Sequence, residues 1–240
     1  MTEQEISDAQ IRIERLIAQK AKELHGDGED SLMPIYDGVC DPEKYLKSSP
    51  RIMWILKEAY DGIDDDGNPF GGGWHISKDW TAENIEPTKS QTWQPMMYAI
   101  RALTEENYWE VLPWIRDDRE TYMKHLMSCA YINVNKMPAK IKSGDLSKAF
   151  DIWENIITEQ ILAYKPKVII FGNTFEYFRA CNFFVDMNEC NGVENKTGVY
   201  TTQINGQPII LIDAYHPNQR LLSRQDYVDS IVESVRMNSN

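Results

Sequence analysis

Three features of the sequence predict an α/β fold of three layers, α/β/α, around a mainly parallel central sheet. Four short apolar runs have the length and composition of buried strands, helix-length segments separate them, and turn-forming residues close each run. Right-handed crossovers through those segments put helices on both faces of the sheet. The 240 residues sit at the upper end of what one hydrophobic core serves, and no repeat, low-complexity tract or interdomain linker interrupts them. A single domain over residues 1–240 is expected, with 1–49 a helical extension and 50–237 the core.

Glu3 to His25 carries Ile6, Ile13, Leu16, Ile17 and Leu24 at helical intervals, which describes an amphipathic helix ending at Gly26. Arg51 to Leu56 is apolar almost throughout and bounded by Ser48-Ser49-Pro50 and a polar stretch, as a parallel strand buried on both faces requires. Ala130 to Val134, Val168 to Phe171 and Ile209 to Ile212 read the same way. Helices are expected over Thr92 to Leu103, Asp117 to Ser128, Leu146 to Tyr164 and Ser223 to Met237. Val199 to Asn205 and Pro208 to Ile212, joined at Gly206-Gln207, form an expected hairpin that adds one antiparallel strand at the sheet edge.

Composition narrows the function classes. With 42% hydrophobic and 26% charged residues the chain has an ordinary globular composition. No apolar stretch is long enough for a transmembrane helix, and the N-terminus is acidic where a secretory leader is basic and then apolar, so a cytoplasmic protein without membrane partners is expected. Cys40, Cys129, Cys181 and Cys190 show neither Cys-x-x-Cys pairing nor zinc-like spacing with His25, His75, His125 and His216, and are read as reduced, mostly buried thiols. The net charge of −12 argues against a protein that coats nucleic acid, while leaving room for a local basic strip on an acidic body.

In an open α/β sheet the ligand sits beyond the carboxyl ends of the strands. The first run is followed by Lys57-Glu58-Ala59-Tyr60 and, farther on, Asn68-Pro69-Phe70-Gly71-Gly72-Gly73; the second by Asn133-Val134-Asn135-Lys136-Met137-Pro138; the third by Gly172-Asn173-Thr174; the last by Asp213-Ala214-Tyr215-His216-Pro217-Asn218. Each loop combines turn formers with residues able to do polar chemistry.

In that order the loops resemble the uracil-DNA glycosylase superfamily, most closely the branch whose first motif reads Gly-Glu-Ala-Pro-Gly. Leu56-Lys57-Glu58-Ala59-Tyr60 is similar to that motif, Gly67-Asn68-Pro69-Phe70-Gly71 to the Pro-Phe segment, and Tyr131 to Pro138 to the Thr-Asn-Val-Val-Lys-Cys segment. Lys165-Pro166-Lys167-Val168-Ile169-Ile170-Phe171-Gly172 resembles the Pro-Lys-Val-Ile strand, and Tyr215-His216-Pro217-Asn218 the closing His-Pro-Ser. The resemblance runs from about Pro50 to about Met237. It departs from the family at Lys57 (glycine in the motif), Tyr60 (proline) and Asn218 (serine). Met137 stands where an iron-sulfur ligand would, so neither a cluster nor any other metal or cofactor is expected.

The resemblance implies a glycosylase-like fold and a DNA-repair hydrolase that cleaves the N-glycosidic bond of uracil or a related damaged base, acting on single- or double-stranded DNA as a monomer. Such enzymes flip the base into a pocket. Glu58 would position or activate the attacking water. His216 would donate to the uracil oxygen on which charge grows. Phe70 would be the stacking platform, Asn133 the reader of the uracil edge, and Ala59 and Tyr60 further base contacts. Lys136, Lys140 and Arg220 would hold phosphates, and Leu221 would wedge into the vacated stack. The competing assignments are a hydrophobic plug for Phe70, a turn-tying amide for Asn133, a helix cap for His216 and a loop-closing carboxylate for Glu58. Asp61, Asp64, Asp65 and Asp66 lack the spacing of a calcium loop and read as a solvated acidic loop, and Gly71-Gly72-Gly73 lacks the Lys-Ser or Lys-Thr of a P-loop. The alternative function is a catalytically weak or inactive binding module of the same fold for a nucleotide, modified base or protein. A third is an unrelated doubly wound enzyme using His216 and Glu58 as acid and base on a small anion.

Overall fold

Strand alternation sorts the core into two apolar layers. In the computed structural model, which describes residues 1–26, 33–59, 62–63, 69–70, 73–81, 85–86, 88, 90–138, 146–181 and 183–239, strand β2 (Ile52–Leu56) sends Ile52, Trp54 and Leu56 into one layer and Met53 and Ile55 into the other. All five are buried, which explains the unbroken apolar run. Strands β5 (Ala130–Asn133), β6 (Val168–Gly172) and β9 (Gln207–Ala214) lie parallel with β2 in the order β5-β2-β6-β9. Their carboxyl ends therefore share one edge of the molecule.

Among the described residues the sheet has seven strands in the order β1-β5-β2-β6-β9-β8-β7 and is mixed. Strand β1 (Gly38–Val39) pairs antiparallel with β5, so residues 1–49 contribute a strand as well as the expected helix α1 (Glu3–His25). At the other side β8 (Thr197–Ile204) and β9 form the expected hairpin, but β8 is not the edge: β7 (Asn188–Cys190) pairs antiparallel along its outer side. Asn205 and Gly206, both at positive φ, close the two-residue turn in the conformation that favours Asn-Gly. A separate two-stranded ribbon joins β3 (Gly62–Ile63) to β4 (Pro69–Phe70).

One face of the sheet is covered by α1, α2 (Pro42–Lys47), α6 (Ser147–Tyr164) and α7 (Phe175–Ala180). The other is covered by α3 (Ile76–Asp79), α4 (Trp93–Thr104), α5 (Arg119–Met127) and α8 (Arg224–Met237). Helix α1 begins in a capping box, with the Thr2 hydroxyl accepting from Glu5 N–H and the Glu5 carboxylate accepting from Thr2 N–H, and ends where Gly26 takes φ 75°. No helix among the described residues is long and apolar enough to cross a membrane.

The central strands converge where Gly172 ends β6. A Cβ there would overlap Leu56 Cδ2 and press the Pro217 ring at 3.2 Å. Gly172→Ala is therefore expected to destabilise the fold by about 1–3 kcal/mol, measured by urea denaturation.

Candidate active site

The β2–β5 ladder continues past both strands, with Val134 N–H donating to the Leu56 carbonyl at 2.8 Å and Asn135 N–H to the Lys57 carbonyl at 3.0 Å. It therefore delivers Glu58 and Ala59 beside the end of β5, where Asn133 stands opposite Leu56. On the other side of β2, the Thr174 hydroxyl donates to the Ile55 carbonyl at 2.8 Å, and Asn173 N–H donates to the Ala214 carbonyl at 2.8 Å. These bonds bring the loops after β2, β5, β6 and β9 to one rim. Glu58, Ala59 and His216 are half-buried there.

Asn133 is fully buried. Its Oδ1 accepts from the Tyr131 hydroxyl at 3.4 Å, whereas its Nδ2 has no hydrogen-bond partner among the described residues. An unpaired buried donor costs about 1–3 kcal/mol, so this amide is not placed for stability. Tyr131 itself sits in a nest of indoles, with ring centroids 4.7 Å from Trp80, 5.2 Å from Trp93 and 5.7 Å from Trp74. The amide thus faces a low-dielectric surround on the α4 side of the sheet, where a matched hydrogen bond counts for more than in water.

A buried ion pair holds the backbone of Asn133. Asp37 and Lys136 are both fully buried, and Lys136 Nζ lies 2.7 Å from Asp37 Oδ1 and 2.9 Å from Oδ2. Asp37 Oδ2 also accepts from Asn133 N–H at 2.6 Å, and Gln160 both donates to Asp37 Oδ1 and accepts from Lys136 Nζ, each at 2.8 Å. Burial pulls the Lys136 ammonium below its ordinary value, and the Asp37 carboxylate opposes that shift. Lys136 is consequently not a phosphate contact, contrary to the expectation from sequence: its charge is consumed inside the fold. Asp37 and Gln160 went unread, although an acid between Ile35-Tyr36 and Gly38-Val39 is the signal that a buried partner was needed.

The His216 turn is fixed from several sides. Tyr227 of α8 donates its hydroxyl to the Tyr215 carbonyl at 2.9 Å, Gln219 N–H donates to the His216 carbonyl at 2.9 Å, and Asn218 N–H donates to His216 Nδ1 at 3.2 Å. Because Nδ1 accepts, the neutral imidazole carries its proton on Nε2 and is a hydrogen-bond donor there.

No protein-family model matches the chain, and no curated protein sequence matches it significantly.

The other expected site residues divide as follows. Phe70 ends β4 opposite Gly62, and its platform role falls on a side chain outside the described set. Tyr60, Lys140 and the acidic positions Asp61, Asp64, Asp65 and Asp66 lie outside the described residues. Arg220 and Leu221 are exposed just beyond the His216 turn, Leu221 at 75%. The four thiols are free, Cys40 and Cys129 buried, Cys181 and Cys190 partly so. No three His, Cys, Asp or Glu side chains among the described residues gather as metal ligands.

Asp213, at the end of β9, has its carboxyl pushed above the ordinary range by burial; Arg179 opposes the shift and Glu176 adds to it. A folded pKa above the unfolded one means that the neutral acid is the favoured folded form. Its contribution to stability is full below the unfolded pKa of about 3.9 and is lost as pH rises through the folded value. Asp213→Asn should accordingly raise the melting temperature at pH 7 and have no effect in acid below that range. Lys136→Met, which leaves Asp37 charged and buried, should cost about 3–5 kcal/mol in urea denaturation. Pairing it with Asp37→Leu should cost less than the sum of the two single substitutions.

Proposed function

We propose that the chain is a DNA-repair glycosylase that hydrolyses the N-glycosidic bond of uracil or a related damaged base. The observation that carries this reading is the Asn133 amide, fully buried with Nδ2 unpartnered among the described residues, on the rim shared by Glu58 and the His216 turn. Nδ2–H suits a base carbonyl, and the second lone pair of Oδ1 suits a ring N–H, the pattern one edge of uracil offers. A site whose polar groups stay unpaired without ligand rejects analogues that cannot pair them.

Chemically, the base leaves with the electron pair of the N-glycosidic bond, and negative charge spreads onto its carbonyl oxygens. The Nε2–H of His216 then stabilises that charge as a preorganised donor. Water adds to the electron-poor sugar carbon, and Glu58 orients it and takes up its proton. The departure at Asn218 leaves the donor intact, because the contact to Nδ1 is made by a main-chain N–H.

The deciding experiment is release of free base from uracil-containing single- and double-stranded oligonucleotides by purified protein. His216→Ala should lower the rate by about 10²–10³-fold. Asn133→Leu should abolish release while changing the stability by no more than about 1–2 kcal/mol, since it removes an unpaired donor but also the acceptor of the Tyr131 hydroxyl. Absence of release from every such substrate at high protein concentration overturns the reading. Tight binding of the base-containing strand without release would instead identify the binding module.

A further inference from the structure

On the side of the His216 turn away from Asp213 the described surface carries cations rather than acids. Two adjoining cavities of about 310 and 340 Å³ run along the start of α4, one reaching Pro217, Arg220 and Leu222, the other Trp114 and Arg116, and Arg224 lines both. None of the residues described as lining either is Asp or Glu, in a chain that carries 37 of them. Arg220 and Arg224 are exposed and meet no carboxylate among the described residues, and exposed Arg116 has only its neighbour Asp117 at 3.5 Å.

The same strip exposes flat and apolar side chains that folding normally hides. Trp114 is 54% exposed and Leu221 75%. Neither is loosely attached. Trp109 meets the Trp114 ring edge to face at 6.1 Å, and the Tyr98 hydroxyl accepts from the neighbouring Ile115 N–H at 3.2 Å. Gln219 Oε1 accepts from both Leu221 N–H at 2.6 Å and Leu222 N–H at 2.7 Å. Fixed aromatic and aliphatic platforms alternating with exposed cations match a ligand that alternates flat apolar rings with anions. A single-stranded nucleic acid does this, because its bases are free to stack while its phosphates follow the arginines. In a duplex the base faces are already stacked.

We infer that the groove from Leu221 through Arg224 to Trp114 and Arg116 is a track for single-stranded nucleic acid leading away from the base site. The inference rests on the proposed glycosylase reading for what the track serves. Trp114 stacks an unpaired base, and Arg116, Arg220 and Arg224 hold the backbone on either side.

The test is fluorescence anisotropy of the full chain with a labelled oligothymidylate of about 15 nucleotides that contains no uracil. Binding should weaken with added salt. Trp114→Ala should weaken it about tenfold and Trp114→Phe much less. Arg116→Glu with Arg224→Glu should weaken it further and flatten the salt dependence. All these positions are exposed, so circular dichroism and melting should be unchanged. Unaltered affinity in Trp114→Ala overturns the track, as does equal binding of duplex DNA or of polyglutamate. Base release reports separately. Release that persists at the full rate on single strands in Trp114→Ala leaves the glycosylase reading standing and the track disproved. Trp114-dependent binding without release does the reverse.

Discussion

The buried pair of Asp37 and Lys136 is the constraint on which the site depends. Two charges withdrawn from water cost several kcal/mol each, and only close contact with further hydrogen bonds offsets that cost. Here Gln160 and the Asn133 amide N–H supply those bonds, so the pair is satisfied only when α6, the end of β5 and the segment leading into β1 are all in register. Helix α1 is drawn into the same network. Gln10 donates to the Asp37 carbonyl at 3.1 Å, accepts from Val39 N–H at 3.3 Å, and accepts from the Tyr164 hydroxyl. A network of this kind specifies geometry more than it adds stability. Its geometric product is a fixed backbone at Asn133.

That arrangement separates two kinds of polar group. The main-chain N–H of Asn133 is committed to the scaffold, while its side-chain donor is buried without a described partner. His216 shows the same division, since Nδ1 is committed to the turn and the neutral ring's proton is thereby assigned to Nε2. In Asn133 the main-chain N–H serves the fold, and in His216 Nδ1 serves the turn, which fixes the tautomer of the ring. The surround of Asn133 is apolar, with Tyr131 packed among three indoles.

Much of this was legible in sequence, for identifiable reasons. Strands β2, β5, β6 and β9 announced themselves because a strand buried on both faces must be apolar at nearly every position, and α1 did because it is long, amphipathic and capped. Strand β1 was hidden by its length of two residues, which no periodicity can mark. Strand β7, exposed or half-exposed at every position, likewise carries no core pattern. Lys136 misled because nearness in sequence to a site does not give direction. Three residues past Asn133 the chain has turned, and the side chain points inward to an acid 99 residues upstream. Trp93 is packed against the core and also walls the aromatic nest of Tyr131.

The departures from the resembling motifs also sort by which atoms they change. At Asn218 the contact that matters is made by the main chain, so any residue with an N–H would make it, and the side chain is left exposed. At Lys57 the main chain is also engaged, its carbonyl accepting from Asn135 N–H, which keeps β2 and β5 in register past their ends. There the side chain is half-buried and brings a cation where glycine would leave space. A main-chain contact thus makes the turn at Asn218 tolerant of the side chain there, whereas the departure at Lys57 adds a charged side chain to the rim.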